Sequence, residues 1–337
     1  MRAALAPTYG PPSVITLSTD APRPTPTADQ LLVRVHSTTV NPADCKQRSG
    51  NLQLVVSHAF PVAFGQDFSG IVESAPPTSR FKVGDAIYGC TAPRNGCAAE
   101  YIAVHERECA PKPEVLPWDA AAAIPTIACT AYRGVVTVGK AEEGMHVLVH
   151  GASGGVGSAM AQIARALGCR VWATSSAKNR DYVARLGVVA VLDYARPLAE
   201  ALAAAPETPG DVRFDLVLDA VGGDDLYEAS LPLLRRRSGR FVSAVGPVRH
   251  GGSERIGYGT LLGTARTLAP RLLLKSWCAD MVKTSALVAP SWPPRADPAH
   301  LMPPGGRGLP SSQRPPKLTF SPRPTILQVP VRALPLV

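Results

Sequence analysis

"HGASGGVGSAMAQIARALG", residues 150–168, follows the apolar run Val147-Leu148-Val149 and passes into helix-forming residues. An apolar strand, a glycine-rich turn and a helix, in that order, form the arrangement that cradles a dinucleotide. The core of the stretch, Ala152-Ser153-Gly154-Gly155-Val156-Gly157, reads as A-x-G-x-x-G with alanine in the first glycine position. Small residues are required because the backbone must approach the pyrophosphate closely, and amide N–H groups at the helix amino end then face its negative charge. Gly154 belongs to that close-approach turn, while Gly157 serves tight packing of helix against strand.

Working outward, the segment 146–245 alternates between two periods. Strands are expected at 146–150, 170–174 and 189–192 and within "FDLVLDAVGG" (214–223) and "GRFVSAVG" (239–246), with helices at 155–167, about 179–186 and in the alanine-rich stretch after 192. Strands alternating with helices predict a parallel, doubly wound sheet. Arg235, Arg236 and Arg237 close an amphipathic stretch, where a helix dipole and solvation explain them. The end of the second strand carries the cofactor choice. An NAD-preferring site places Asp or Glu there to bind the ribose 2'-hydroxyl. Here the residues are "WATSSAKNR" (172–180), with no acid between Val171 and Arg180. Ser175 or Ser176 can donate to a 2'-phosphate and Lys178 can neutralise it, so NADPH is the expected cofactor.

Residues 1–120 are turn-rich, with short alternating apolar runs such as "QLLVRVHSTTV" (30–40) and "FSGIVESA" (68–75), which read as strands of a β-rich domain. "WDAAAAIPTIACTAYRGVVTVG" (118–139) reads as helix, a kink at Pro125 and a second helix. The expected organisation is thus 1–120, a β-rich domain; 121–277, the nucleotide-binding domain; and 278–337, an atypical tail. That tail is set apart by 13 prolines in the 50 residues from 288 to 337, a density that removes backbone donors and predicts disorder. The net charge of +9 is also a property of one end: residues 235–337 hold 16 Lys+Arg against 3 Asp+Glu, whereas residues 1–234 hold 19 against 23. Without interleaved aromatics or a nucleic-acid module, this basicity does not indicate nucleic-acid binding. The seven cysteines form no C-x-x-C pair, no run of about 18 apolar residues suggests a membrane span, and the amino terminus passes directly into domain sequence. A cytoplasmic protein with free thiols is expected.

In combination, "NPADCKQRSG" (41–50), "FGQDFSGIV" (64–72), "FKVGDAIYG" (81–89), the segment 118–139, the glycine turn and "FDLVLDAVGG" resemble the medium-chain dehydrogenase/reductase superfamily. The likeness covers about residues 1–275. Within the superfamily the chain is similar to the zinc-free quinone oxidoreductase and enoyl reductase-like branch, above all to the reticulon-interacting NADPH oxidoreductases. The resemblance implies an α/β protein with a GroES-like β-rich domain followed by a Rossmann domain. It also implies that Ser153, Gly155 and Val156 approach the pyrophosphate, that Ser176, Lys178 and Tyr194 hold the 2'-phosphate, and that Ala220 and Ala244 line the cofactor. Tyr194 taken alone would be a core aromatic at a strand end.

The resemblance implies hydride transfer from NADPH to a small-molecule quinone or to the β-carbon of an enone or enal, with Asn41 and Thr130 beside the nicotinamide as donors to oxyanion charge. Zinc-dependent relatives have Cys and a His-Glu pair where this chain has Asn41 and Gln66-Asp67, so no metal is expected. A tyrosine acid of related enoyl thioester reductases is replaced by Leu52, which leaves the proton donor open. Asp44 lies close by as a turn-holding or capping residue. A homodimer is a family expectation. The competing reading is a nucleotide-binding protein with weak or no turnover, because the family's chain returns to the first domain after the Rossmann sheet and the proline-rich residues from about 278 onward announce no such return.

Overall fold

In the computed structural model, residues 1–51, 53, 57–91, 96–245 and 329–330 are described. Among them, 1–49 and 57–125 gather in one unit and 126–245 in another.

The first unit is β-rich. Its strands are β1 (Ala3–Ala6), β2 (Thr16–Ser18), β3 (Gln30–Thr39), β4 (Val62–Ala63), β5 (Asp67–Ser74), β6 (Ala86–Cys90), β7 (Tyr101–His105) and β8 (Cys109–Pro111), with α1 (Pro42–Arg48) after β3 and α2 (Trp118–Ala122) at the end. β3, β5, β6 and β8 pair antiparallel in that order, and β7 adds to the first half of β3. Leu31, Val33, Phe68, Val72, Ile87 and Val104 form the core beneath them. Alternation holds only in part: Ser37, Thr38 and Thr39 at the end of β3 are buried despite being polar. Their hydroxyls are accounted for, Ser37 on Asp119, Thr38 on the Asp67 carbonyl and Thr39 on Asp67 and the Ala122 carbonyl. Burying hydroxyls is tolerated when each finds a partner.

The second unit opens with α3 (Pro125–Tyr132), separated from α2 by the expected break, and continues through a π-helical turn at Arg133–Val138. There follow β9 (His146–His150), α4 (Gly155–Ala166), β10 (Arg170–Ser175), α5 (Arg180–Ala184), β11 (Ala190–Asp193), α6 (Leu198–Ala203), β12 (Leu216–Asp219), α7 (Asp224–Ser230) and β13 (Arg240–Ser243). All five strands are parallel, in the order β11-β10-β9-β12-β13. Val147, Leu148 and Val149 are all fully buried, as a central parallel strand with both faces covered requires. The sheet is the Rossmann arrangement expected from the alternating pattern, and the first unit is the expected GroES-like β-rich one.

One difference from the sequence reading concerns the arginines that follow α7. The arginines at 235–237 lie beyond α7, which stops at Ser230; Arg235 instead pairs with Asp215 at 2.7 Å, and Arg237 takes a positive φ of 80°. Pro232 explains the stop, since its ring cannot continue the helix. The expected disorder of 278–337 lies outside the described residues, except for β14 (Val329–Pro330), which pairs antiparallel with Ser37 and Thr38 of β3. This pairing is two residues long at the edge of the sheet, where proline is tolerated.

Candidate functional site

Strand order places the site. From β9 the chain winds outward through β10 and β11 on one side, while β12 and β13 occupy the other, so the direction reverses between β9 and β12. Ligands of such sheets bind outside the carboxyl ends of the strands at that reversal. The cofactor residues expected from sequence stand at those ends: the glycine turn after β9, Ser175 and Ser176 at the end of β10, Tyr194 after β11, Ala220 after β12 and Ala244 after β13.

The turn itself is set by backbone demands. Gly151 has φ of +73°, a conformation that side chains disfavour. Gly154 N–H returns to the Gly151 carbonyl at 3.0 Å and Ala152 N–H to the Thr174 carbonyl at 3.0 Å, so the loop doubles back onto β10. At Gly157 a Cβ would stand 2.2 Å from the Gly151 oxygen, which is the close helix packing read from the motif. Gly154 is the N-cap of α4 and offers no side-chain cap. The amides of the first helical turn, those of Gly155 and Val156 included, have no carbonyl within the helix to bond and are free for an anion. Ser153 and Gly154 are half-buried at this end, and Gly155 is exposed. The pyrophosphate of a dinucleotide fits these donors.

Beyond β10, the two serines part company. Ser175 is 1% exposed and its hydroxyl donates to the Ser176 carbonyl at 3.1 Å. Ser176, one residue past the strand, is half-buried, and Lys178 in the following turn is exposed. Tyr194 N–H donates to the Ser175 carbonyl at 3.2 Å, which brings the end of β11 beside the end of β10. Tyr194 is 65% exposed, so it is not a core aromatic. The nearest acid, Asp193, spends Oδ1 on Ala195 N–H at 3.0 Å. Ala220 donates its N–H to the His150 carbonyl and Ala244 to the Asp219 carbonyl, tying the end of β12 to β9 and the end of β13 to β12.

Sequence reasoning passed over two buried polar residues beneath this surface, His150 and Asp219. His150 is fully buried directly before the turn and is flanked by Thr174 Oγ1 and Ser230 Oγ. Asp219 is 1% exposed and staples the loop after β12: Oδ1 accepts Val221 and Gly222 N–H at 2.8 and 2.9 Å, and Oδ2 accepts the Ser243 hydroxyl at 2.7 Å. The available signal was a polar residue closing an otherwise apolar strand, as in "VLVH" and "LVLD".

In the first unit, Asn41 is the N-cap of α1 and 4% exposed. Its Nδ2 donates to Asp67 Oδ2 at 2.9 Å, and its backbone N–H donates to Asp44 Oδ2 at 2.6 Å. Asp44 Oδ1 is buried without a partner. Burial, and then the charge of Asp67, push the Asp44 carboxyl up to about 7. Burial likewise holds the Cys97 thiol well above its usual range. Thr130 lies half-buried on α3 of the second unit. Leu52 lies outside the described residues. Among the described residues no group of three or more His, Cys, Asp or Glu side chains is placed to share a metal ion, and no helix is long and apolar enough to cross a membrane.

Comparison with known proteins agrees with this geometry. Residues 27–114 match the alcohol dehydrogenase GroES-like domain and residues 155–275 the zinc-binding dehydrogenase domain. The quinone oxidoreductase of Rattus norvegicus is 34% identical over 228 residues, 67% of this chain and 68% of the relative. The chain belongs to the medium-chain dehydrogenase/reductase superfamily. Its place there is in the quinone oxidoreductase-like branch of this family of nicotinamide-dependent oxidoreductases. The mitochondrial NAD(P)H oxidoreductase RTN4IP1 of Bos taurus is 31% identical over 74% of this chain, an alignment that spans 66% of the relative's own length. An alcohol dehydrogenase superfamily protein from Novosphingobium aromaticivorans superposes with a TM-score of 0.66 at 31% identity, covering 86% of each chain.

Proposed function

We propose that this member of the superfamily is an NADPH-dependent, zinc-independent oxidoreductase that reduces a small-molecule quinone or an α,β-unsaturated carbonyl compound. The observation that carries the cofactor choice is the end of β10, where Ser176 and the exposed Lys178 follow the strand with no acid among them, while the exposed Tyr194 follows the neighbouring β11. A cation and hydroxyl donors at these strand ends suit a 2'-phosphate, and the residues that follow β10 offer a 2'-hydroxyl no carboxylate. The turn residues Ser153, Gly154, Gly155 and Val156 take the pyrophosphate, and Ala220 and Ala244 are small enough to leave room over the strand ends. Bound reduced nicotinamide supplies the hydride. What the chain adds is donors for the oxygen that gains charge, a role we assign to the amide of Asn41 and the hydroxyl of Thr130. Asn41 is suited to it because Asp67 holds one N–H of its amide and α1 holds its backbone.

Zinc does not fit the residues at the positions where zinc-dependent relatives bind it. Asn41 and Gln66 offer neutral amides, Asp67 already accepts from Asn41, and among the described residues no group of three His, Cys, Asp or Glu side chains is placed to complete a tetrahedral set. Purified protein is therefore expected to keep its activity after prolonged exposure to a strong chelator, with no stoichiometric zinc by elemental analysis. Loss of activity that added zinc restores would overturn this assignment.

The reaction is tested by following NADPH oxidation with a panel of quinones, enones and enals. Turnover with one class names the acceptor. A chain that binds NADPH and oxidises it with none of them is a nucleotide-holding protein instead.

A further inference from the structure

His150 closes the central strand β9 immediately before the cofactor turn, and every proton around it has one assignment. Ser230 Oγ donates to the Leu226 carbonyl at 2.6 Å and lies 3.0 Å from His150 Nε2. A hydroxyl has a single proton, so at the second contact Ser230 accepts and Nε2 is the protonated ring nitrogen. A neutral imidazole carries one N–H, which leaves Nδ1 as an acceptor. Thr174 Oγ1 stands 3.4 Å from Nδ1 and accepts Gly151 N–H at 3.1 Å, so the Thr174 hydroxyl proton points to Nδ1. The result is a directed chain from Gly151 N–H through Thr174, His150 and Ser230 to the Leu226 carbonyl.

This chain joins the two sides of the point where the sheet reverses. Gly151 starts the turn after β9, Thr174 is in β10, and Ser230 ends α7, the helix after β12. Burial keeps the ring neutral, lowering its ionisation to about 4 against the opposing pull of Asp219. The ring nitrogens, the two hydroxyls and the Gly151 amide are all used, which is the condition under which a buried polar network specifies one geometry.

We propose that His150, as its Nε2–H tautomer, is a positioning residue for cofactor binding, holding the Gly151 amide and hence the pyrophosphate turn through Thr174, with Ser230 setting the direction of the chain. The proposal rests on reading that turn as the NADPH site. In the isosteric variant Thr174→Val the Gly151 amide loses its acceptor, and in Ser230→Ala the ring loses the acceptor for its Nε2–H.

Two measurements on the full chain test it. Long-range proton–nitrogen NMR of the histidines should show one neutral Nε2–H imidazole that stays neutral down to about pH 5. Titration should give a Kd for NADPH raised about five- to tenfold in Thr174→Val, restored in Thr174→Ser, with kcat at saturating NADPH within about twofold of wild type. A merely structural role would lower thermal stability and leave that split of Kd from kcat unmoved. An Nδ1–H tautomer, or wild-type NADPH affinity in Thr174→Val, overturns the role of His150 alone. A wild-type chain that binds no NADPH overturns the cofactor reading and the positioning role with it.

Discussion

Replacing Lys178 by alanine is expected to raise the Kd for NADPH about ten- to a hundredfold and to leave the Kd for NADH within about twofold. Lys178 is exposed in the turn that follows β10, at the same end of the sheet as Ser176 and Tyr194. The two cofactors differ only in the 2'-phosphate, so a side chain that meets that group acts on one and not on the other. A charge-assisted bond of this kind contributes about 1.5–3 kcal/mol, which sets the size of the expected change. Titration of both cofactors into wild type and Lys178→Ala decides the matter. Equal losses for NADPH and NADH would mean that the lysine shapes the loop and does not read the phosphate. Tyr194→Phe should move NADPH affinity in the same direction by a smaller factor, since it removes one hydroxyl and no charge.

A larger effect on stability is expected at Asp44. In an unfolded chain its carboxyl ionises near 3.8, whereas burial and the neighbouring Asp67 hold it up to about 7 in the folded protein. Between those values the folded state binds a proton that the unfolded state has released. The contribution of the neutral form is therefore fully present below about pH 4 and is lost as pH rises through 7. The span amounts to about 3–4 kcal/mol. Asp44→Asn keeps an oxygen for the Asn41 N–H and has nothing to ionise, so its stability relative to wild type should climb by that amount between pH 4 and 8. His150 works in the opposite sense. Its lowered ionisation gives stability that is present above pH 6.5 and lost as pH falls towards 4, but it is common to both proteins and cancels in the difference. Urea unfolding at pH 4.5, 6 and 8 measures the difference, and a flat result would place the Asp44 carboxyl at its ordinary value.

What was legible in advance depended on how far along the chain each signal reaches. Strand and helix periods repeat within a few residues, so "HVLVH", the glycine turn and the helix after it could be read directly, and the strand ends followed within a residue or two. The neighbouring serines were harder. Both are small hydroxyls beside the expected phosphate, and only the pleat of β10 decides that Ser175 faces inward while Ser176 falls beyond the strand. The two-residue pairing of β14 with β3 is compatible with the proline-rich composition, because so short an edge strand makes few demands on it.

The sequence by itself determined the parallel α/β unit, the β-rich unit before it, the glycine-rich turn between β9 and α4 and the basic, acid-free loop after the second strand of the sheet. Each depends on local periodicity or on residue chemistry at short spacing. Tertiary structure alone decided which buried polar groups meet. His150 finds Ser230 across 80 positions of sequence and Asn41 finds Asp67 across 26. No local pattern encodes such pairs, because partners are chosen by strand order and sheet register, and those are set by burial of the whole apolar surface. Once the sheet is assembled, an unmet donor or acceptor inside it is costly. That cost is why the groups around His150 are so fully bonded, and why Asp44 Oδ1, buried without a partner, belongs to a carboxyl whose ionisation burial pushes up to about 7.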